Sequence, residues 1–232
     1  LILSAYKIFV KREEVVNITI VYDSNFKGQT EVLANSIASG INSIKDASSH
    51  LVHVDKVEEN WSLLHSSHAI IFGSPTYIGS VSGKFKLFVE KLAGEVWLKR
   101  MWKNKIASGF TVSAGRSGDK LNCLNQMFIF ASQMAMIWVP QPILGGHYSS
   151  EGSENDLNRI GGYIGVMAQA NIDESSEIAP PESDRETARL HGVHLACITS
   201  QFVCGQSNMP FKNEAPFESD GEQKPLGLAE LF

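Results

Sequence analysis

The sequence predicts a doubly wound α/β domain: a five-stranded parallel sheet with helices on both faces. Three observations carry this. Short β-branched and apolar runs alternate with segments whose apolar residues recur at helical spacing, the pattern of successive β-α-β units. The strand runs are apolar almost throughout instead of alternating, as strands buried on both faces must be. The segments that follow the first, third and fourth runs are rich in Gly, Ser and Thr, and such sheets place their ligands at those strand ends.

Asn17–Tyr22 (Asn-Ile-Thr-Ile-Val-Tyr) is the first strand, followed by a polar loop from Asp23 to Gly28. Gln29–Ile44 then lines Val32, Leu33, Ser36, Ile37, Gly40 and Ile41 along one helical face. Ser49–Val54 is a weaker second strand, and Val57–Ser66, around Trp61, Leu63 and Leu64, reads as a short helix or a loop. His68–Phe72 is a third buried strand that runs into Gly73-Ser74-Pro75-Thr76-Tyr77-Ile78-Gly79. Val81–Leu92 returns to helical spacing through Val81, Phe85, Phe88, Val89 and Leu92. Lys105–Val112 is the fourth strand and Lys120–Met136 a long apolar helix. Ile137–Ile143 is the fifth strand, weakened by Pro140 and Pro142, which bring no N–H to a ladder. A glycine-containing insert, Leu144–Ser183, precedes the last helix, Asp184–Val203, and an insert of about 40 residues inside a compact domain is expected to be functional or disordered.

The domain therefore spans 17–203. Residues 1–16 are an N-terminal extension, in which apolar Leu1–Val10 precedes Lys11-Arg12-Glu13-Glu14. A secretory leader has the opposite order, positive charge first. The polar tail, 204–232, is expected to be poorly ordered or draped on a partner.

Composition excludes several classes. With 43% hydrophobic and 19% charged residues among 232, the chain is not disordered throughout. Its longest apolar runs, Ile106–Val112 and Met134–Pro140, fall far short of the roughly 20 residues that cross a bilayer. The net charge of −5 gives neither a basic footprint for nucleic acid nor a dense acidic field that steers a cationic partner. Cys123, Cys197 and Cys204 are odd in number and form no C-x-x-C, so a reduced, cytoplasmic protein is expected.

The first loop, Ser24-Asn25-Phe26-Lys27-Gly28-Gln29-Thr30, leads straight into a helix. Hydroxyls and free N–H groups at a helix start make an anion site, Gly28 permits close approach, and Lys27 can add positive charge. The alternative is plain capping by Ser24 and Thr30. The loop has neither the Gly-Lys-Ser/Thr run of a Walker motif nor G-x-G-x-x-G. In the second loop, Thr76 to Gly79 can lay backbone against a flat ring, or serve as a simple β-to-α turn. The third, Ser113 to Asp119 with Gly115 and Gly118, allows the same two readings. The meeting of all three at one sheet edge favours a ligand site.

At this point the chain resembles a known family. Val21-Tyr22-Asp23-Ser24…Gly28-Gln29-Thr30, Gly73-Ser74-Pro75-Thr76-Tyr77-Ile78-Gly79, Phe85…Phe88…Trp97, Met136-Ile137-Trp138-Val139-Pro140 and Pro181-Glu182-Ser183-Asp184…Ala188-Arg189…Gly192-Val193 are similar to the flavodoxin-like, FMN-binding NAD(P)H:quinone oxidoreductases of the tryptophan-repressor-binding-protein type, over about residues 17–203. The resemblance implies strand order 2-1-3-4-5. It implies an FMN phosphate wrapped by Ser24, Asn25, Phe26, Gly28, Gln29 and Thr30, to which Lys27, from the same loop, is added as a cofactor-binding candidate. Ribityl and ring would be met by Pro75, Thr76, Tyr77, Ile78 and Gly79, and the ring flanked by Ser113, Ala114, Gly115 and Gly118. Trp97 would approach the pocket of a neighbouring subunit in a homodimer or homotetramer, with the 144–183 insert helping to build both site and assembly. The implied activity is hydride transfer from NAD(P)H through flavin N5 to quinone-type acceptors, with the protein supplying binding, orientation and electrostatics. The alternatives are an FMN-binding electron shuttle, or a non-enzymatic regulatory member with weakened flavin binding. Three departures stand out: the extra Lys27, Gln133-Met134-Ala135-Met136 where the family often has His-His-Gly-Met, and a third loop carrying Arg116 and Asp119.

Other constellations carry less. The His65/His68 and His191/His194 pairs lack a third metal ligand. His147, after Gly145-Gly146, is a candidate proton donor to a quinone, and Arg116 reads as an exposed loop arginine. Cys123 is expected to be buried and inert. Among Trp97, Trp102, Trp138 and Phe128, core or subunit contact is expected for three of the four. Ser113 is not in G-x-S-x-G, so a serine hydrolase fails at the motif.

Overall fold

The computed structural model describes residues 15–24 and 27–208. Most of the N-terminal extension, Asn25, Phe26 and the tail beyond 208 lie outside the described residues. In chain order the elements are β1 (Val16–Tyr22), α1 (Gln29–Asn42), β2 (Ala47–His53), a 3-10 turn (Val54–Glu59), α2 (Trp61–Ser66), β3 (Ala69–Tyr77), β4 (Ser80–Val81), α3 (Gly83–Lys91), α4 (Glu95–Leu98), β5 (Ile106–Ser113), α5 (Lys120–Gln133), β6 (Ile137–Trp138), β7 (Val166–Gln169) and α6 (Glu182–Asn208).

The main sheet runs β2-β1-β3-β5-β6, all parallel, which is the expected order once β4 is set aside. Pleating sends alternate side chains to opposite faces. Ile18, Ile20, Tyr22, Ile71 and Phe110 pack with Leu33, Ile37 and Ile41 of α1 and Leu195 of α6. Val21, Ile70 and Phe72 pack on the other face with Phe85 and Phe88 of α3 and Leu124, Met127 and Phe130 of α5. Helices α1 and α6 cross at two glycines: a Cβ on Gly40 would stand 1.9 Å from the Arg189 carbonyl O, and one on Gly192 would stand 2.2 Å from that of Ile37.

Four expectations change. The fifth strand stops at Trp138 instead of Ile143, because Pro140 and Pro142 cannot supply ladder N–H groups. Its place higher along β5 is taken by β7, from within the insert, pairing Val166–Gln169 with Phe110–Ser113. Residues 74–77 continue β3, then fold back as a hairpin onto β4, so the second loop is a strand turn and not a β-to-α turn. Helix α5 ends at Gln133, where Ala135 takes φ 57°. Helix α6 continues to Asn208, so Cys204 opens no tail. No described helix is long and apolar enough to cross a membrane.

The two histidine pairs serve the fold. His65 Nδ1 accepts from the Trp102 indole N–H at 3.1 Å, and His68 Nδ1 from the Asn17 N–H at 3.0 Å. His191 is fully buried, with Nε2 2.8 Å from Ser108 Oγ. Ser108 spends its single hydroxyl proton on the Val139 carbonyl, so His191 Nε2–H is the donor and Nδ1 is left bare. Burial pushes this imidazole down to about 3. The unfolded chain therefore binds one more proton than the folded chain between pH 6.5 and 3, and stability falls as pH falls through that window. By pH 5 the expected loss is about 2 kcal/mol. Urea unfolding at pH 7 and pH 5 should show it, and His191→Gln should remove most of the difference.

Candidate functional site

The site lies at the carboxyl ends of β1, β3 and β5. The first loop is tied to the sheet by the Asp23 N–H, which donates to the Gly73 carbonyl at 3.0 Å. Buried Asp23 also places Oδ1 3.5 Å from His53 Nε2. Ser24 Oγ accepts from the Glu31 N–H at 3.3 Å. Gly28 precedes α1 at φ 74° and gives it no side-chain cap. Ser24 thus serves the Glu31 N–H, while the N–H groups of Gln29 and Thr30 at the helix start are open to an outside acceptor. Thr30, in the first turn, is fully buried, and its Oγ1 has no hydrogen-bond partner among the described residues. An unsatisfied buried hydroxyl costs about 1–3 kcal/mol. A helix start whose Gly28 N-cap brings no side chain, plus an orphaned hydroxyl, is the donor set of a phosphate site, and these residues fit the phosphate of FMN.

Two neighbours turn elsewhere. Gln29 Nε2 donates to the carbonyls of Asn171 and Glu174 at 3.1 and 3.0 Å, and Lys27 Nζ to that of Asp173 at 3.2 Å. These side chains hold a strap, residues 171–178, across the first loop. Arg185 fastens its far end through the Ser176 and Pro180 carbonyls at 2.9 and 2.6 Å.

The second loop is a two-residue turn with Ile78 at φ 49° and Gly79 at φ 74°, the left-handed pair of a type I′ hairpin. Thr111 Oγ1 donates to the Ser74 carbonyl and accepts from Thr76 Oγ1, each at 2.7 Å, which locks the stem. Pro75 and Thr76 are buried, while Tyr77 and Ile78 are exposed at the tip. Asn122 Nδ2 donates to the Gly79 carbonyl at 2.6 Å, and a Cβ on Gly79 would stand 3.4 Å from Asp119, so the hairpin leans on the third loop.

In the third loop, Ser113 Oγ donates to the Gly115 carbonyl at 3.0 Å, and Gly118 (φ 53°) leaves no room for a Cβ, which would stand 2.1 Å from Ser113 Oγ. The Ala114 carbonyl accepts from Gln169 of β7 at 3.0 Å. Beneath the loop sits Lys120, fully buried, with Nζ donating to the carbonyls of Gly115, Arg116 and Ser117 at 2.5, 2.8 and 3.4 Å. Burial pushes this ammonium down to about 8. Arg116 is exposed and pairs with Glu154 at 2.5 Å. Glu154 also receives Arg159, which is bound in bidentate fashion to buried Asp184 at 2.9 and 2.8 Å. His147 Nδ1 lies 3.9 Å from the same Glu154.

The described parts of the three loops thus meet as expected. Trp97 does not join them within its own chain. It packs half-buried on the second core cluster in α4, after α3 has carried the chain back toward the edge where β5 begins. Met134 is a core residue and Cys123 is buried, its thiol pushed up by burial. Lys120, Arg159, Asp184 and the strap were not legible as site residues. Lys120 reads as the first residue of an apolar helix, and Arg159 and Asp184 are far apart in sequence with no shared motif.

The comparisons agree with this geometry. Residues 18–150 match the profile of the family described as NADPH-dependent FMN reductase. The chain is 35% identical over 186 residues to Flavodoxin FldP of Pseudomonas aeruginosa (strain UCBPP-PA14), covering 78% of this chain and 96% of that one. It is 30% identical over 141 residues to an NAD(P)H dehydrogenase (quinone) of Geotalea uraniireducens (strain Rf4), covering 60% and 66%. Among solved structures, the flavodoxin, WrbA-like protein from Agrobacterium tumefaciens superposes with a TM-score of 0.60 at 32% identity, covering 81% and 99%.

Proposed function

The chain belongs to the NADPH-dependent FMN reductase family, as an oxidoreductase that uses FMN with NAD(P)H as co-substrate, and we propose that it delivers two electrons, as hydride, to quinone-type acceptors. The observation that carries the flavin assignment is the orphaned Thr30 hydroxyl in the first turn of α1, behind a glycine N-cap. When bound, FMN supplies a ring that accepts a hydride from a nicotinamide and returns two electrons to an acceptor.

The chain's own part is binding and orientation. Gly28, Gln29 and Thr30 offer backbone N–H groups to the phosphate, and Thr30 adds its hydroxyl. The strap held by Lys27 and Gln29 excludes water from that end. The hairpin of Pro75, Thr76, Tyr77, Ile78 and Gly79 gives an apolar wall, and Ser113, Ala114, Gly115 and Gly118 flank the other edge. His147, held near Glu154 beside Arg116, is the imidazole assigned to protonate a reduced quinone. Trp97 completes the pocket of a neighbouring copy in a homodimer or homotetramer, and an odd number of cysteines with no C-x-x-C supports a reduced, cytoplasmic protein.

The relation to a flavodoxin favours a second reading, an electron shuttle that turns over no nicotinamide. Stopped-flow mixing of the FMN-loaded protein with NADPH or NADH, then with benzoquinone, separates the two. The enzyme reading expects nicotinamide oxidation at a rate set by quinone concentration. Failure of either nicotinamide to bleach the flavin leaves the shuttle.

A further inference from the structure

A fully buried lysine is rare, and an ammonium in the first turn of a helix opposes the helix dipole. Lys120 is both, as the first residue of α5. Packing alone needs only an apolar side chain there. What the ammonium meets is the third loop, whose Gly115, Arg116 and Ser117 carbonyls converge on Nζ. In a trans peptide the C=O and N–H point opposite ways. Drawing these three carbonyls inward therefore turns the N–H groups of Arg116, Ser117 and Gly118 outward.

We propose that Lys120 is the positioning residue of the flavin-facing loop, gathering its carbonyls from beneath so that its N–H groups form a donor row for the electron-rich edge of the bound ring. This rests on the FMN reading above. The row is set before the ligand arrives, so the ligand does not bear the cost of ordering it. Successive N–H groups of this kind form an anion-favouring concavity. Two charged groups act on the ammonium from packed elements: Asp184 of α6 favours it and Arg159 of the insert disfavours it. Arg116 and Asp119 belong to the loop itself, and Arg116 is drawn away to Glu154. Because burial pushes Lys120 down to about 8, the hold weakens as pH rises past that value, whereas an ordinary lysine keeps its charge until above pH 10.

The test is the FMN dissociation constant, read by quenching of flavin fluorescence, for the full chain and for Lys120→Met between pH 7 and 9.5. The wild-type constant is expected to rise several-fold across that range. Lys120→Met should bind about tenfold more weakly at pH 7, the loss of charge-assisted bonds to the loop, and should show no such rise. A purely structural lysine would not give a pH profile that the Met variant abolishes. Equal affinities for the two proteins, or a wild-type constant flat across the range, overturn the role of Lys120 and leave the FMN site standing. A wild type that binds no FMN at pH 7 overturns both. If Lys120→Met does not fold, the wild-type profile alone decides.

Discussion

Thr30→Val should bind FMN about 10- to 100-fold more weakly than the wild type, the effect of losing one hydrogen bond to a charged oxygen. The same substitution should not destabilise the ligand-free protein. Valine matches threonine in shape, and it replaces a hydroxyl that is fully buried without a partner among the described residues. Removing such an orphan should raise ligand-free stability by about 1 kcal/mol. The two effects have opposite sign, which separates a ligand-binding role from a structural one. Flavin fluorescence titration measures the first and thermal unfolding without FMN the second. Unchanged FMN affinity would mean that the hydroxyl does not face the phosphate.

Arg159→Ala should cost about 3–5 kcal/mol of stability, because it leaves a buried carboxylate without its counter-ion. Asp184 is almost wholly buried, and beyond Arg159 it keeps the Gln169 N–H at 2.9 Å. The guanidinium joins α6 to the insert and to Glu154, which holds Arg116 of the third loop. For a domain of this size the loss corresponds to a drop in Tm of about 6–20 °C. Replacing the pair together, Arg159→Met with Asp184→Leu, should recover most of it, since the desolvation cost of both charges is removed as well. Calorimetry of the single and double variants checks this. A single variant that melts with the wild type would show that the pair does not tie the insert to the fold.

Much of the architecture was legible because its signals are local. The β-branched runs at 17–22, 68–72 and 105–112 became the three central strands within one or two residues at their N-terminal ends, and the helical stripe of Leu33, Ile37 and Ile41 became the buried face of α1. The first loop stood out because Gly28 and Thr30 sit at a helix start, which suits a phosphate site or plain capping alike. What escaped depends on distance or on an unusual residue. Ile78 holds φ 49° in a hairpin turn that ordinarily draws Asn or Gly, so nothing at that position announces the turn. β7 is four residues, Val-Met-Ala-Gln, inside a glycine-rich stretch, and it becomes a strand only because the prolines end β6 and leave β5 with an open edge. The orientation of Gln29 and Lys27 toward the strap depends on carbonyls more than 140 residues away, which no local pattern encodes. The same holds for Arg159 and Asp184.

The central claim is that the described parts of three loops at one sheet edge form an FMN site, with Thr30 at the phosphate. Its most direct test is a visible absorption spectrum of the purified full chain, taken before and after incubation with FMN and removal of the excess by gel filtration. The account predicts flavin bands that co-elute with the protein. A chain that remains colourless after that treatment would contradict it.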